Sequence, residues 1–130
     1  MKNILTVKIQ YPDITVRVIL VHAPQETEKL EERSDFFNEF AEQVERGTTS
    51  GDTMIVVGDF NARIQDTEEM HHTSSNGKLM KDVIDEYKLK IVNFHERAYG
   101  KWTRVQPMKN GNIKKSMLDY FLLEEDMYNK

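Results

Sequence analysis

The sequence predicts a single α/β domain in which two amphipathic helices pack on a mixed β-sheet. Its 130 residues suffice for one hydrophobic core and make two domains unlikely. Short β-branched runs alternate with two longer segments of helical period, which predicts a layered α/β arrangement. The chain has no cysteine, so disulfide scaffolds, thiolate metal sites and thiol nucleophiles are excluded.

The chain begins with a predicted hairpin. Residues 4–9 and 14–22 are rich in β-branched and apolar residues, which favours strands. Pro12 and Asp13 between them are typical of a turn, because proline fixes a turn dihedral and aspartate closes it with its side chain. The second strand is apolar almost throughout, so we expect it inside the sheet, and Pro24 ends it.

The middle of the chain predicts helix, strand and helix. Apolar residues follow the helical period over residues 27–46, and Gly47 is the predicted C-cap. The β-branched run 53–57 predicts a buried strand. The helical period returns over residues 76–87, for which Asn76 is the predicted N-cap.

Three further strands complete the predicted sheet. They cover residues 89–94, 102–105 and 117–123, and the turn signal Asn110-Gly111 is expected to join the last two as a pair. The first residues have only short apolar runs, which do not predict a signal peptide, and the longest apolar run is far too short to span a bilayer. We therefore expect no membrane association and a cytoplasmic or nuclear location.

The charge is distributed unevenly along the chain. The net charge of −4 belongs to residues 1–65, whereas residues 66–130 carry equal numbers of acids and bases. Residues 97–115 hold six Lys and Arg and no acid, with Tyr99 and Trp102 among them. Basic residues mixed with aromatics can bind nucleic acid by phosphate pairing and base stacking. The alternative is a solvated hairpin with ordinary surface cations.

A carboxylate and a carboxamide directly follow the predicted strand 53–57. Asp59 at a strand end can bind a divalent metal or take a proton from water, and Asn61 can orient a phosphate or the nucleophile. Gly58 permits close approach of the backbone. The alternative is a turn in which both side chains bind the backbone, because Asp and Asn are also common turn formers.

Asp119 is the only acid inside the apolar strand 117–123. A buried carboxylate is costly unless it is paired or bound to a cation. Strand alternation places Asp119 on the face of Met117, Phe121 and Leu123, which argues against a polar face. The pattern therefore predicts a role for Asp119 in a functional site.

Five short motifs occur in order along the chain. They are Val-His-Ala-Pro at 21–24, Gly-Asp-Phe-Asn-Ala at 58–62, Asn76-Gly77, Lys101-Trp102-Thr103, and Ser116-Met117-Leu118-Asp119-Tyr120. Together they resemble the motifs of the endonuclease/exonuclease/phosphatase superfamily, and within it the chain is most similar to the endonuclease domain of non-long-terminal-repeat retrotransposons and of host proteins derived from them. The resemblance extends over roughly residues 5–124.

The resemblance implies a partial α/β sandwich with a mixed sheet and two helices, as one partial domain over residues 1–130. The family's opening strands, which carry an Asn and a metal-binding Glu, have no counterpart in this sequence, and neither does its closing Ser-Asp-His segment. The resemblance also implies Mg²⁺ as the cofactor, with Mn²⁺ as the alternative, and DNA as the partner.

The site residues implied by the resemblance are Asp59, Asn61, Asp119 and His22. Asp59 matches the residue that activates or positions the attacking water and is also the predicted metal ligand. Asn61 matches the residue that holds phosphate and water, Asp119 one that orients a histidine, and His22 a position near the scissile phosphate. The predicted nucleic-acid-binding residues are Asn76, from its motif, and, from the basic segment, Arg97, Lys101, Trp102, Arg104, Lys114 and Lys115.

Two functions of different class follow from these observations. The first is metal-dependent hydrolysis of phosphodiester bonds, as in a DNA endonuclease, by a fragment or truncated member of the family. The alternative is a catalytically inactive remnant that binds nucleic acid or a protein partner. Hydrolysis of small phosphate esters or lipids is a weaker third candidate. An unpaired sheet edge would in addition favour self-association or completion by a second chain.

Overall fold

The computed structural model describes residues 3–65, 72–99 and 103–129. None of the helices in these ranges is both long and apolar enough to cross a membrane. The elements are β1 (Ile4–Gln10), β2 (Thr15–His22), α1 (Leu30–Ser50), β3 (Thr53–Asp59), α2 (Ser75–Glu86), β4 (Leu89–Ile91), a 3₁₀ turn (Val92–Phe94), β5 (Arg104–Pro107), β6 (Ile113–Ser116), β7 (Asp119–Glu124) and α3 (Glu125–Tyr128).

The central sheet has five strands in the order β1-β2-β3-β7-β4. β1 and β2 form the expected antiparallel hairpin, and β2 runs parallel to β3 after the crossover through α1. β7 is antiparallel to both of its neighbours, β3 and β4. The predicted mixed sheet and α/β class are confirmed, and β2 is an interior strand as expected.

One face of this sheet is covered by α1 and α2, and the hydrophobic core lies between them. The rings of Phe40 and Phe60 meet edge to face with centroids 5.4 Å apart, and Phe60 meets Tyr120 in the same way at 6.0 Å. The strand residues buried on this side alternate along β2, β3 and β7, as the strand period requires. They are Ile19, Val21, Met54, Val56, Tyr120 and Leu122.

The opposite face of the sheet, here called the open face, is apolar as well. Sheets with one wetted side normally carry polar residues on that side. Here the strand register brings together ten apolar side chains on β1, β2, β3 and β7, and several of them are exposed. The residues of the open face are Leu5, Val7, Ile9, Val16, Val18, Leu20, Ile55, Val57, Phe121 and Leu123.

The predicted end of the first helix is wrong. The helix continues to Ser50, and Gly51, with φ of 71°, is the C-cap. Gly47 lies inside the helix. A side chain at this position would meet its neighbours, because a Cβ atom there would collide with Met54 and would lie 2.9 Å from Cδ of Arg17. Gly47 is thus a packing glycine, which the capping pattern alone did not distinguish from a terminal one.

The second helix begins one residue earlier than predicted, and its N-cap is Ser74 rather than Asn76. The hydroxyl of Ser74 accepts a hydrogen bond from the backbone N–H of Gly77 at 3.1 Å. Serine and asparagine are both favoured N-caps, so local sequence did not choose between them.

The predicted pairing of residues 102–105 with 117–123 is wrong. β5 pairs instead with β6, a strand that the sequence did not reveal because Lys114 and Lys115 interrupt its apolar pattern. The predicted turn at Asn110-Gly111 joins β5 and β6, and Gly111 has the positive φ of 84° that favours glycine. β7 is thereby released to enter the central sheet.

Candidate functional site

Three of the predicted site residues stand in one row at the end of the sheet. Register pairs His22 of β2 with Asp59 of β3, and Asp59 with Asp119 of β7. Paired residues share a face, so this end row lies at one margin of the open face. Nε2 of His22 is 4.0 Å from Oδ2 of Asp59, and the two side chains are 67% and 35% exposed.

Gly58 brings β2 and β3 unusually close just before the end row. Its φ is 149°, and a Cβ atom on it would collide with the carbonyl oxygen of Val21 and lie 2.9 Å from the Val21 nitrogen. Only glycine fits this close approach without moving a strand. The glycine of the 58–62 motif therefore fixes the position of β3 against β2 directly before Asp59.

Asp59 and Asn61 form a hydrogen-bonded turn. Oδ1 of Asp59 accepts from the backbone N–H of Asn61 at 2.8 Å, and Nδ2 of Asn61 donates to the carbonyl of Ala23 at 2.7 Å. Asn61 has the left-handed φ of 43° that asparagine tolerates better than most residues. The turn interpretation of this pair is confirmed. It does not exclude a site, because Oδ2 of Asp59 faces His22.

Asp119 is exposed, contrary to the expectation of a carboxylate forced into an apolar interior. The residues that share its side of β7 belong to the open face, and it is Tyr120 and Leu122 that face the core. The backbone of Asp119 is held in place by Asn93, whose Nδ2 donates to its carbonyl at 3.0 Å. Oγ1 of Thr103 accepts from its N–H at 3.2 Å.

Asn76 is fully buried, at 0% exposure, which contradicts its prediction as a nucleic-acid contact. Its Nδ2 donates to the carbonyls of Pro24 at 2.9 Å and Asn61 at 3.1 Å. Its Oδ1 accepts from a terminal guanidinium nitrogen of Arg33 at 3.1 Å. With its amide group enclosed in these contacts, Asn76 has no surface to offer to a phosphate or a base.

Tyr120 is a further residue of the site's framework that the sequence did not single out. Its hydroxyl lies 2.8 Å from the carbonyl of Ala62 and 3.0 Å from that of Met117, and it accepts from the N–H of Ile64 at 3.3 Å. Burial raises the pKa of the Tyr120 hydroxyl far above its ordinary value. Tyr120 thus ties β7 to the loop that follows Asp59.

The basic residues of the β5–β6 hairpin are exposed: Arg104, Lys114 and Lys115 all face solvent. Arg97 is exposed as well, on the loop before the hairpin, whereas Lys101 and Trp102 lie outside the described residues. The hairpin begins next to Asp119, because Oγ1 of Thr103 also accepts from the N–H of Leu118 at 2.9 Å. Positive charge is therefore presented on the β7 side of the end row.

The other side of the end row is acidic. An open groove that is lined at one end by His22 and Asn61 runs along α1. Four carboxylates line it, and like charge repels phosphate. The carboxylates are Glu28, Glu32, Asp35 and Glu39.

Within residues 3–65, 72–99 and 103–129, no three His, Asp or Glu side chains converge as a metal-binding group. His95 packs its ring on Tyr128 at 4.9 Å and accepts the N–H of Arg97, which is a structural role. Asp59 and Asp119, which are paired across the neighbouring strands β3 and β7, supply two carboxylates. Mg²⁺ commonly takes only one or two protein carboxylates together with water and substrate phosphate, so this donor set fits such an ion.

The chain is similar to known proteins in sequence and in fold. Residues 1–107 match the family described as Endonuclease/Exonuclease/phosphatase family 2. Among solved structures, the chain is similar to the endonuclease domain of TRAS1, a telomere-specific non-LTR retrotransposon. The identity is 18% and the TM-score 0.65, over 98% of this chain and 52% of that one.

Two further solved structures share the fold. The catalytic domain of Xenopus laevis APE2 is 17% identical with a TM-score of 0.61, over 98% of this chain and 46% of that one. Beta toxin from Staphylococcus aureus is 17% identical with a TM-score of 0.57, over 96% of this chain and 44% of that one.

The chain spans about half the length of the three structures described above. No curated protein matches its sequence. The family match nevertheless covers far more than half of the chain, and the α/β fold of the three solved structures agrees with it. The predicted resemblance is confirmed, and the chain belongs to the endonuclease/exonuclease/phosphatase family 2.

Proposed function

We propose that this protein is a metal-dependent phosphodiesterase that cuts DNA, with its reaction centred on the end row. Membership of the family supports nuclease-type or phosphodiesterase-type chemistry in general. The observation that carries the narrower proposal is the register of His22, Asp59 and Asp119 across three adjacent strands, next to a basic hairpin.

Asp59 is the proposed base and metal ligand. Its turn with Asn61 fixes one carboxylate oxygen at 2.8 Å from a backbone N–H, so the direction of the other is set. A carboxylate held in this way can accept a proton from water or bind a hard cation. When bound, Mg²⁺ supplies the positive charge that stabilises the phosphoryl oxygens as the attacking water adds.

Asn61 and His22 are the proposed phosphate contacts. One amide proton of Asn61 is committed to Ala23, which leaves its second proton as a donor for a phosphate oxygen. His22 is well exposed and lies 4.0 Å from the Asp59 carboxylate. A protonated imidazole there would donate to a phosphate oxygen or to the leaving group.

DNA binding is assigned to the exposed basic residues Arg97, Arg104, Lys114 and Lys115, with Lys101 and Trp102 retained as proposals from the sequence. Phosphate pairing by these residues would be weakened by salt. The acidic groove along α1 supports a one-sided approach, in which the duplex lies over β7 and the hairpin. Action on DNA would place the protein in the nucleus or the cytoplasm.

A plasmid-nicking assay with and without Mg²⁺ tests the proposed function. The informative variant is Asp59→Asn, because the amide keeps an oxygen that accepts from Asn61 and removes only the charge. Asp85→Asn, at an exposed position of α2, is the matched control. We expect Asp59→Asn to lower Mg²⁺-dependent nicking by about 10²-fold or more, and Asp85→Asn to leave it unchanged.

Mg²⁺-dependent nicking that is equal in the wild type and in Asp59→Asn would overturn the proposed function. Mn²⁺ should be tested in parallel, since it is the alternative ion. Loss of nicking by the control variant as well would attribute the effect to folding instead of to the carboxylate.

A second candidate function is binding without catalysis, and the exposed basic residues favour it specifically. Arg97, Arg104, Lys114 and Lys115 are exposed and can pair with phosphate without a metal ion. This candidate predicts DNA binding that does not need Mg²⁺ and that weakens steeply between about 50 and 200 mM salt. Binding that is indifferent to salt would contradict it.

We also propose that the chain associates through its uncovered sheet surface. β1 is an edge strand, and exposed edges can pair with another chain. The open face adds apolar area directly beside that edge, including Leu5, Val7 and Ile9 of β1 itself. Large exposed apolar patches mark association surfaces, so a second copy or a complementing chain would cover this one.

A further inference from the structure

We infer that Asn76 is a positioning residue, which holds the peptide of Asn61 in its strained conformation and thereby aims the Asp59 and Asn61 side chains. Its importance for catalysis rests on the proposed function, whereas the positioning itself does not. A role of this kind also gives a physical reason for the Asn76-Gly77 motif, whose asparagine is buried away from any substrate.

The Asn76 amide connects two loops of the site. Its Nδ2 has two protons, which reach the carbonyl of Pro24 at 2.9 Å and that of Asn61 at 3.1 Å. Pro24 follows β2 and Asn61 follows β3. One side chain from α2 therefore ties together the exits of the two strands that carry His22 and Asp59.

The backbone conformation of Asn61 requires support from its surroundings. Its φ of 43° lies in the left-handed region, which residues other than glycine occupy at a cost in free energy. Such a conformation persists where the surroundings determine it from several directions. Here the N–H of Asn61 is bound by Asp59 at 2.8 Å, its side chain by Ala23 at 2.7 Å and its carbonyl by Asn76.

The orientation of the Asn76 side chain is itself fixed by a buried hydrogen-bond network. Its Oδ1 accepts from Arg33 at 3.1 Å, and its backbone N–H donates to a carboxylate oxygen of Glu26 at 2.9 Å. Arg33 is buried, donates to the hydroxyl of Ser75 at 2.8 Å and lies 3.7 Å from Glu26. A buried polar network of this kind fixes its members because each broken contact leaves a desolvated group.

Gly77 explains how α2 comes close enough for this contact. A Cβ atom at Gly77 would collide with the carbonyl oxygen of Arg63 and lie 3.0 Å from its carbon. The same Arg63 peptide is bound by Ser74, whose N–H donates to it at 2.8 Å and whose hydroxyl accepts its N–H at 2.9 Å. The start of α2 is therefore seated directly on the loop that follows Asp59.

Amide hydrogen exchange, followed residue by residue by NMR, tests this inference. Asn76→Asp keeps an oxygen for Arg33 and removes both amide donations. The control is Asp52→Asn, which weakens the buried ion pair of Asp52 with Arg17, whose atoms are 2.9 Å apart. Arg17 is on β2 and Asp52 lies just before β3, so this pair is far from the end row. Urea unfolding of each variant gives its global stability, against which the local exchange rates are compared.

We expect the N–H of Asn61 to exchange about tenfold or more faster in Asn76→Asp than in Asp52→Asn, after correction for global stability. Equal corrected rates in the two variants would overturn the inference. Should Asn76→Asp fail to fold, Arg33→Lys loosens the same amide from the α1 side, and the same comparison with Asp52→Asn then decides.

The nicking assay supplies the second readout. For a positioning residue, Asn76→Asp should lower kcat more than it raises KM, because the proposed DNA contacts of the basic residues are retained while Asp59 and Asn61 are misaligned. A wild type without nicking activity would defeat the proposed function but leave the exchange comparison intact. Faster exchange at Asn61 together with unchanged kcat would overturn the catalytic part of the inference alone.

Discussion

On the helix-covered side of the central sheet, Val56 and Leu122 are completely buried, whereas Leu20 and Phe121 on the open face keep 39% of their surface exposed. Both sides are apolar and both arise from the same strand alternation. Hydrophobicity alone therefore does not tell which face of a strand is in the core. The comparison also separates two tasks, because the covered face holds the backbone in place and the open face carries the end row.

Asp119 shows that apolar neighbours in the sequence do not establish burial. Its apolar neighbours in the sequence suggested burial, and a buried carboxylate suggested a forced functional position. Its neighbours on the same side of the sheet are in fact open-face residues, so Asp119 is exposed at little cost. Its proposed role now rests on its register with Asp59 rather than on burial.

We expect the largest difference in the free energy of unfolding between substitutions of one phenylalanine on each side of the sheet. Phe40, which packs from α1 on the covered face, is fully buried, so Phe40→Ala should lower the free energy of unfolding by about 3–5 kcal/mol. Phe121→Ala on the open face should cost about 1–2 kcal/mol, since only part of the ring is buried on folding. Urea denaturation measures both.

An equal loss in the free energy of unfolding for Phe40→Ala and Phe121→Ala would contradict the difference between the two faces, since it would mean that the open face is covered in solution. Repeating the measurement at several protein concentrations separates the reasons, because a cover provided by a second copy makes the cost rise with concentration.

An intermediate effect is expected at Tyr120, which joins the covered face to the loop after Asp59. Tyr120→Phe leaves the buried carbonyl of Ala62 and the N–H of Ile64 without the hydroxyl, at a cost of about 1–3 kcal/mol. Because burial raises the pKa of Tyr120, the folded state keeps its proton to higher pH than the unfolded state does.

This contribution of Tyr120 is therefore fully present below the pKa of an unfolded tyrosine, about 10, and is lost as the pH rises further. The stability difference between wild type and Tyr120→Phe should narrow above pH 10 or so. Urea unfolding at pH 8 and at pH 10.5 checks this. A gap that widens in alkali would contradict the burial of the hydroxyl.

The smallest expected change in stability belongs to Leu20→Lys, in the middle of the open face. It should alter the free energy of unfolding by less than about 1 kcal/mol but abolish self-association, because a lysine opposes the closing of an apolar interface. The control is Leu30→Lys, since Leu30 is 57% exposed on α1, away from that face.

Light scattering over a range of concentrations gives the mass of each protein. We expect wild type and Leu30→Lys to associate and Leu20→Lys to remain monomeric. A monomeric wild type, or equal masses for Leu20→Lys and Leu30→Lys, would contradict the proposed association surface.

Local sequence was a good guide to the elements with a strong period. The two strands of the first hairpin, both helices and β3 were predicted within a few residues, because β-branched runs and amphipathic spacing are local signals. β6 was missed because its two lysines fit a hairpin exposed on both sides, where no apolar alternation is required. The same exposure makes that hairpin available for binding.

The site was predicted in part for a similar reason. The residues Asp59 and Asn61 carry a recognisable local turn chemistry, and their side chains do bind the backbone as one alternative required. The burial of Asn76 and the role of Tyr120 had no such signal. Tyr120 reaches Ala62 across 58 positions of the sequence, and Asn76 reaches Pro24 across 52.

The period of each element, the turns and the kinds of side chain available for chemistry follow from the sequence, because these depend on residues that are close along the chain. The sharing of one row by His22, Asp59 and Asp119, and the hydrogen bond from Asn76 to Asn61, follow from the three-dimensional packing. Register and burial depend on which strands and helices meet. An alternating strand offers two faces, and only its long-range partners choose between them.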